Sequence, residues 1–494
     1  MDSKKQNEIE RENEQLDAAL EAEEAVLESA LEAVELERQE LLVSENKMGT
    51  MPVGRLLANI SVPIIISMLV QALYNVVDSI FVARLGEEAL AAVGFVFPVQ
   101  NLMIAVGVGT GVGMNSLLGR RLGEKNVLAA NKTAMNGLFL AVLSWVAFAI
   151  FGLLGSGWFM GIFTQEAGIA AMGFDYMWIV TVGSLGVFMS IAMERLLQAT
   201  GRSIFSMVSQ LTGAVVNIIL DPIMIFGLLG FPQMGVAGAA LATIIGQFCS
   251  MFVSIWANLA KNRELELRIR SFRPSWHTIK NIYRVGLPSI VMQSIGSVMV
   301  SGMNLILKGF GTTPVAVFNV YFKLQSFVFM PVIGLNNGMV PIIAFNYGAQ
   351  NRRRIEKTVR LATIVAFCIM TVGTLIFWIL PTPLLRLFDA QEGMLAVGIP
   401  ALRTISLSFP LAAICIMFSG SFQALGQGLY SLMMSVVRQL VFLLPLAWVL
   451  SRIGGLSALW FCFPLAELVC IACAVYLFAR VRRKTLSALP HGAD

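Results

Sequence analysis

The chain has little charge, almost no histidine and no loop of the kinds that hold nucleotides. Of its 494 residues 13% are charged and two are histidine, His277 and His491. So few imidazoles leave little for a histidine-based active site or a metal cluster. A Gly-x-x-x-x-Gly-Lys-Ser/Thr loop is missing, which excludes ATP hydrolysis by that route. The run Gly107-Val-Gly109-Thr-Gly111-Val-Gly113 departs from the dinucleotide fingerprint and, inside an apolar stretch, reads as close helix packing. The six cysteines, Cys249, Cys368, Cys415, Cys462, Cys470 and Cys473, all lie in apolar stretches and read as packed thiols, not as a disulfide frame. Cys470 and Cys473 have redox-motif spacing, but on one apolar helix the packing reading is favoured. The first 47 residues contain no apolar core segment, so no cleavable signal peptide is expected. Enzymatic activity, a cofactor and a nucleic-acid partner are all unexpected.

What is abundant is apolar surface. Hydrophobic residues make up 57% of the chain, and the mean hydropathy is +0.76, which places it in a lipid bilayer. Twelve segments are apolar and long enough to cross the hydrocarbon core. They run approximately 56–83, 89–118, 129–154, 169–194, 204–228, 235–258, 281–307, 314–345, 357–380, 395–423, 429–451 and 455–479. The expected fold is therefore an all-α polytopic membrane protein. Basic residues crowd the loops after even-numbered segments, among them Arg120, Arg121, Arg202, Arg263, Arg352, Arg353, Arg354 and Arg482. The opposite side carries only Arg84, Lys308, Arg386 and Arg452. Retention of Lys and Arg in the cytoplasm predicts that both termini are cytoplasmic.

The halves repeat at an offset of 225 residues: Pro63 pairs with Pro288, Gly86 with Gly311, Gln100 with Gln325, Gly109 with Gly334, Gly123 with Gly348 and Asn126 with Asn351. Each half holds six helices, an even number, so the repeats are parallel and related by an axis along the membrane normal. Such repeats place a substrate site at their interface and rock against each other. The expected organisation is an acidic extension (1–47), a first lobe (48–260), a cytoplasmic linker (261–280), a second lobe (281–482) and a cytoplasmic tail (483–494).

Polar residues inside a span are costly and point to function. Asp78 lies deep in helix 1, Asn217 and Asp221 are four apart on one face of helix 5, and Thr243 is in helix 6. At the 225 offset Asp78, Asn217 and Asp221 fall on Met303, Phe442 and Leu446, so the cluster is an asymmetry added to a symmetric scaffold. Two carboxylates in a low-dielectric interior share a cation or a proton, which gives an ion gradient a point of coupling. Their oxygens suit a hard cation such as Na⁺, and H⁺ is the alternative; buried waters and helix hydrogen bonds are the plainer explanation. Gln71 and Asn75 are further candidates for a substrate cavity. Glu194 either lines a cavity or pairs with Arg195, and Glu467 is expected to pair with Lys323 or Arg403. Pro63 removes a backbone bond in helix 1 and is a candidate hinge.

These residues resemble the multidrug and toxic compound extrusion (MATE) transporters over approximately residues 50–482. The resemblance rests on Leu73-Tyr74-Asn75-Val-Val-Asp78-Ser79-Ile80-Phe81-Val82, Leu197-Gln198-Ala199-Thr200-Gly201, Asn217-Ile-Ile-Leu-Asp221-Pro222 and Gly235-Val-Ala-Gly238-Ala-Ala-Leu-Ala-Thr243. It implies two six-helix lobes around a V-shaped cavity, and export of lipophilic, often cationic drugs in exchange for Na⁺ or H⁺. It also implies a cation site at Asp78, Asn217, Asp221 and Thr243, with Gln71 and Glu194 at cavity positions. NorM-like members carry an acid in helix 7 and another in helix 10. Here Gly286 through Lys308 and Leu395 through Ala424 contain none, so the DinF-like branch, with coupling in the first lobe and a helix 1 that bends at Pro63 on protonation, is expected.

Competing readings are a flippase of lipid-linked sugars and a membrane scaffold acting through its N-terminus. Residues 1–47 hold fifteen of the 30 acids against five basic residues, leaving a strongly basic body. They read first as a solvated extension and second as an amphipathic acidic helix offering a surface to a protein partner. The transporter itself is expected to be a monomer whose other partners are small organic cations and the bilayer.

Overall fold

The computed structural model describes residues 46–267, 272–388 and 390–490, with the single positions 34, 37 and 41. The readings made for residues 1–45 lie, those three positions apart, outside the described residues. Helices dominate, because long apolar runs interrupted by Gly, Pro and Asn satisfy their own backbone bonds in lipid. Ten are long and apolar enough to span a membrane, and two further spans are helix pairs bent by 40° and 45°.

In chain order the spans are α1 (Val53–Ala83), α2 (Glu87–Gly123), α3 (Val127–Phe163), α4 (Ala167–Val182 with Leu185–Ala199), α5 (Ser203–Phe226) and α6 (Gly235–Lys261). The second half follows with α7 (Trp276–Lys308), α8 (Thr312–Gly348), α9 (Arg352–Ile379), α10 (Glu392–Ser406 with Phe409–Ala424), α11 (Gly428–Leu459) and α12 (Cys462–Val481). Each of the twelve segments read from the sequence falls on one of these helices or helix pairs, except that the last, read from 455, begins inside α11 and its helix starts at Cys462. Large apolar side chains such as Leu154, Trp158, Leu229 and Ile453 are more than two-thirds exposed, a surface suited to lipid. All six cysteines are free thiols.

The repeat reappears in backbone detail. Gly86 and Gly311 precede α2 and α8 at φ 114° and 107°, and Lys125 and Gln350 take φ 58° and 56° at equivalent turns. Asn126 Oδ1 accepts from the Ala129 amide at 2.9 Å and Asn351 Oδ1 from the Arg354 amide at 3.1 Å, capping α3 and α9 alike. The halves are joined by crossed pairs: α2 packs on α7, and α8 packs on α1. A Cβ on Gly109 would stand 2.8 Å from the Ile290 amide nitrogen, and one on Gly334 would stand 2.8 Å from Ile65 Cα. Ile65 and Ile290 are themselves 225 apart. The glycine run of α2 is thus a packing surface, as its sequence context implies.

One end of the bundle is tied shut. Ser116 Oγ on α2 donates to Gln423 O and Ala424 O on α10 at 2.7 and 3.1 Å, and Arg120 lies 5.0 Å over the Tyr347 ring. A single helical turn, Lys47–Thr50, precedes α1 and acts as a strap at this end. Its cap Asn46 donates to the Glu264 carboxylate in the inter-half linker. Arg354 of α9 reaches Met48 O at 3.1 Å and Met51 O at 2.7 Å, and Asn346 of α8 reaches Met48 O at 3.2 Å.

One pairing differs from expectation. Glu467 pairs with Arg438 of α11 at 2.9 Å, not with Lys323 or Arg403. Lys323 lies over the Phe388 ring, and Arg403 Nε donates to Trp378 O at 3.3 Å. Lys323 and Arg403 thus meet other neighbours, whereas Arg438 reaches across from α11 to α12.

Candidate cation site

The site lies where α1 and α5 end and α6 begins, at the opposite end of the first half from the strap. Asn217 and Asp221 are one turn apart on α5, which turns both toward the same neighbours. Both are buried, as is Thr243 on α6, while Asp78 on α1 is half-buried. The packing of α5 against both α6 and α1 brings the three helices together here. Asn217 Nδ2 donates to Thr243 Oγ1 at 3.3 Å, and the carboxyl groups of Asp78 and Asp221 lie close enough to interact electrostatically.

Several acceptors of the site have no donor. Asp78 Oδ1, both carboxylate oxygens of Asp221 and Asn217 Oδ1 are buried with no hydrogen-bond partner. An orphaned acceptor of this kind costs about 1–3 kcal/mol, more when charged. These four oxygens, carried by two packed helices, form an acceptor set that a bound cation would relieve, and that a proton shared between the two carboxyls would relieve in part. Oxygen ligands from carboxylate, amide and hydroxyl are those that hard cations prefer. The three residues picked out by the broken repeat thus lie on helices that pack together, with Thr243 hydrogen-bonded to one of them.

The structure adds two phenols. Tyr74, one turn before Asp78, faces Thr243. Tyr176 on α4 is buried within electrostatic range of both carboxylates and receives a hydrogen bond from Gln100 Nε2 at 3.1 Å. Tyr176 had no signature in the sequence, because its role depends on how α4 packs on α2. Gln71 and Asn75 share the Asp78 side of α1 and are exposed. Pro63 lies buried within α1, which runs unbroken through it.

Glu194 stands apart. It is buried near the strap end of the first half, where Gln210 Nε2 donates to it at 2.6 Å and Ser209 Oγ at 3.3 Å. Arg195 turns instead to Gln198 Oε1 at 2.9 Å.

A family model described as MatE matches residues 63–223 and 288–449, one copy in each half. The multidrug export protein MepA of Staphylococcus haemolyticus is 25% identical over 86% of this chain and 93% of its own length. A protein of Shewanella oneidensis named FAD transporter is 26% identical over 87% and 95%. Among solved structures, one described as the outward-facing conformation of a multidrug resistance MATE family transporter of the MOP superfamily superimposes with a TM-score of 0.83 at 27% identity, covering 90% of this chain and 98% of its own.

Proposed function

The chain belongs to the MatE family, and from that premise we propose that it is a secondary active exporter of lipophilic organic cations, driven by inward movement of Na⁺ or H⁺. The observation that carries the reading is the four-oxygen set of Asp78, Asn217 and Asp221, which lacks donors and is absent from the second half. A transported ion or proton completes it; when the ion leaves, two facing carboxylates repel, and α1 and α5 shift to separate them. Pro63 offers α1 a place to bend, since its ring removes the bond to the Asn59 carbonyl. Gln71 and Asn75 stand on the same side of α1 as Asp78, so a bend there reshapes the surface offered to a drug.

The strap and the Ser116 contacts hold the halves together at one end, which supports an alternating cycle in which these links break when the cavity opens the other way. The basic residues gather at that same end, which supports a cytoplasmic location for it and for both termini. The transporter works as a monomer, because each chain has both halves. The first-half location of the acids favours the DinF-like branch.

The test is dye efflux in cells expressing the wild-type chain or its Asp78→Asn variant, with ethidium as the probe. Energy-dependent ethidium efflux in the wild type and its loss in Asp78→Asn are expected. Movement of FAD or of a lipid-linked sugar in place of ethidium would overturn the drug-export reading.

A further inference from the structure

The second half lacks the acids of the first, yet its α10 and α12 carry a different polar cluster. Cys415 on α10, with Glu467 and Cys470 on α12, bring two sulfurs and a carboxylate oxygen within 4.8 Å of one another. Glu467 and Cys470 are three apart, so both project from one face of α12 toward α10. All three are buried, with Glu467 8% exposed. Glu467 Oε1 takes Arg438 Nη1 at 2.9 Å, whereas Oε2 is buried with no partner. Arg438 lies in a π-helical stretch, Val437–Leu443, a distortion that often marks a functional position in a helix. Its side chain is 23% exposed, which gives the cluster a route outward.

We propose that Cys415, Glu467 and Cys470 form a binding site for a soft divalent cation of the zinc group. Two thiols and an Arg–Glu pair carry no net charge. When a divalent cation binds, both S–H bonds break, the two protons leave to water, and two thiolates cancel the charge of the metal. The exchange is therefore electroneutral, a condition that matters most in a low-dielectric interior. Thiolates select soft cations over Na⁺ or Mg²⁺, which separates this site from the oxygen site of the first half. Zn–S bonds of about 2.3 Å put tetrahedral sulfurs roughly 3.8 Å apart. The sulfurs, already within 4.8 Å of each other, need only a small adjustment to reach that spacing. Three protein ligands leave the remaining position to water. Arg438 positions Glu467 by holding one of its oxygens, and the other has no partner of its own.

The experiment is Cd²⁺ titration of the purified, reduced full-length chain in detergent, with Cys249, Cys368 and Cys473 replaced by Ser to silence the more exposed thiols. The readouts are Cd–thiolate charge-transfer absorption, bound metal by equilibrium dialysis and proton release. One ion per chain, two protons released and a raised melting temperature are expected. Absorption disappears in Cys415→Ala and in Cys470→Ala, and Glu467→Gln weakens binding about tenfold or more. Should an Ala variant fold poorly, the Ser variant at the same position replaces it. No charge-transfer band in the background protein, or an undiminished band in the Cys415→Ala, Cys470→Ala double variant, overturns the site.

Discussion

Asp78 and Asp221 approach each other with no donor between them, and the consequence separates function from stability. An amide at position 221 supplies an N–H to Asp78 Oδ1 and removes one negative charge. Asp221→Asn is therefore expected to melt at or above the wild-type temperature while ion-driven transport falls about tenfold or more; thermal melts and flux measured on one preparation check both. A loss of folding in step with transport would mean that the carboxylate is structural. A second titrating group lies outside the membrane. Burial pushes the Glu264 carboxyl up to about 7, against the pull of Arg202 at 3.6 Å and of Lys47. Asn46 of the strap also donates to it. The folded state thus retains a proton that the unfolded state releases near its usual 4.5. The docking stability from that protonation is fully present below the unfolded value and is lost as pH rises through the folded one. Backbone amide exchange in residues 46–51 should accelerate beyond the intrinsic rate between about pH 5 and about pH 8, and Glu264→Gln should flatten the change. Asp78, Asn217 and Asp221 were legible because the repeat supplied an internal control, with Met303, Phe442 and Leu446 at the equivalent positions; Thr243 was legible from the family motif in α6. Arg438 and Tyr176 were not. A lone arginine in an apolar run and a tyrosine on a bent helix acquire partners only through interhelical packing.

At the scale of elements, the glycines of α2 and α8 set how closely the halves approach. Gly109 meets Ile290 and Gly334 meets Ile65 at the same short distance, so equal insults should have equal effects. Gly109→Val and Gly334→Val are each expected to cost about 1–3 kcal/mol through overpacking, whereas Gly161→Ala, with open space around it, should leave the melting temperature unchanged. A large difference between the two valine variants would contradict the pseudo-symmetric crossing. On α1, Pro63→Ala restores a backbone bond and stiffens the helix. Its expected effect is slower transport with unaltered cation affinity, read by comparing flux with equilibrium ion binding. The spans were legible from hydropathy alone, since lipid permits only helices that satisfy themselves. The bends in α4 and α10 were not, because the apolar run continues through Gly183 and Ser408 without a break.

At the scale of the whole molecule, two parallel halves share a scaffold and differ in their buried polar groups. The first carries oxygens at Asp78, Asn217, Asp221 and Thr243; the second carries two thiols beside a paired carboxylate. The strap at Met48 joins linker, α8 and α9 at the closed end, a role that no periodicity in residues 46–51 announced. The central claim is that the first-half acids couple an ion gradient to drug movement. It is tested most directly in proteoliposomes holding wild type, Asp78→Asn or Asp221→Asn, with Na⁺ and pH gradients imposed separately and ethidium flux followed. The expected result is wild-type flux driven by one of the two gradients and abolished in both variants. Gradient-driven flux that survives undiminished in both variants would contradict it.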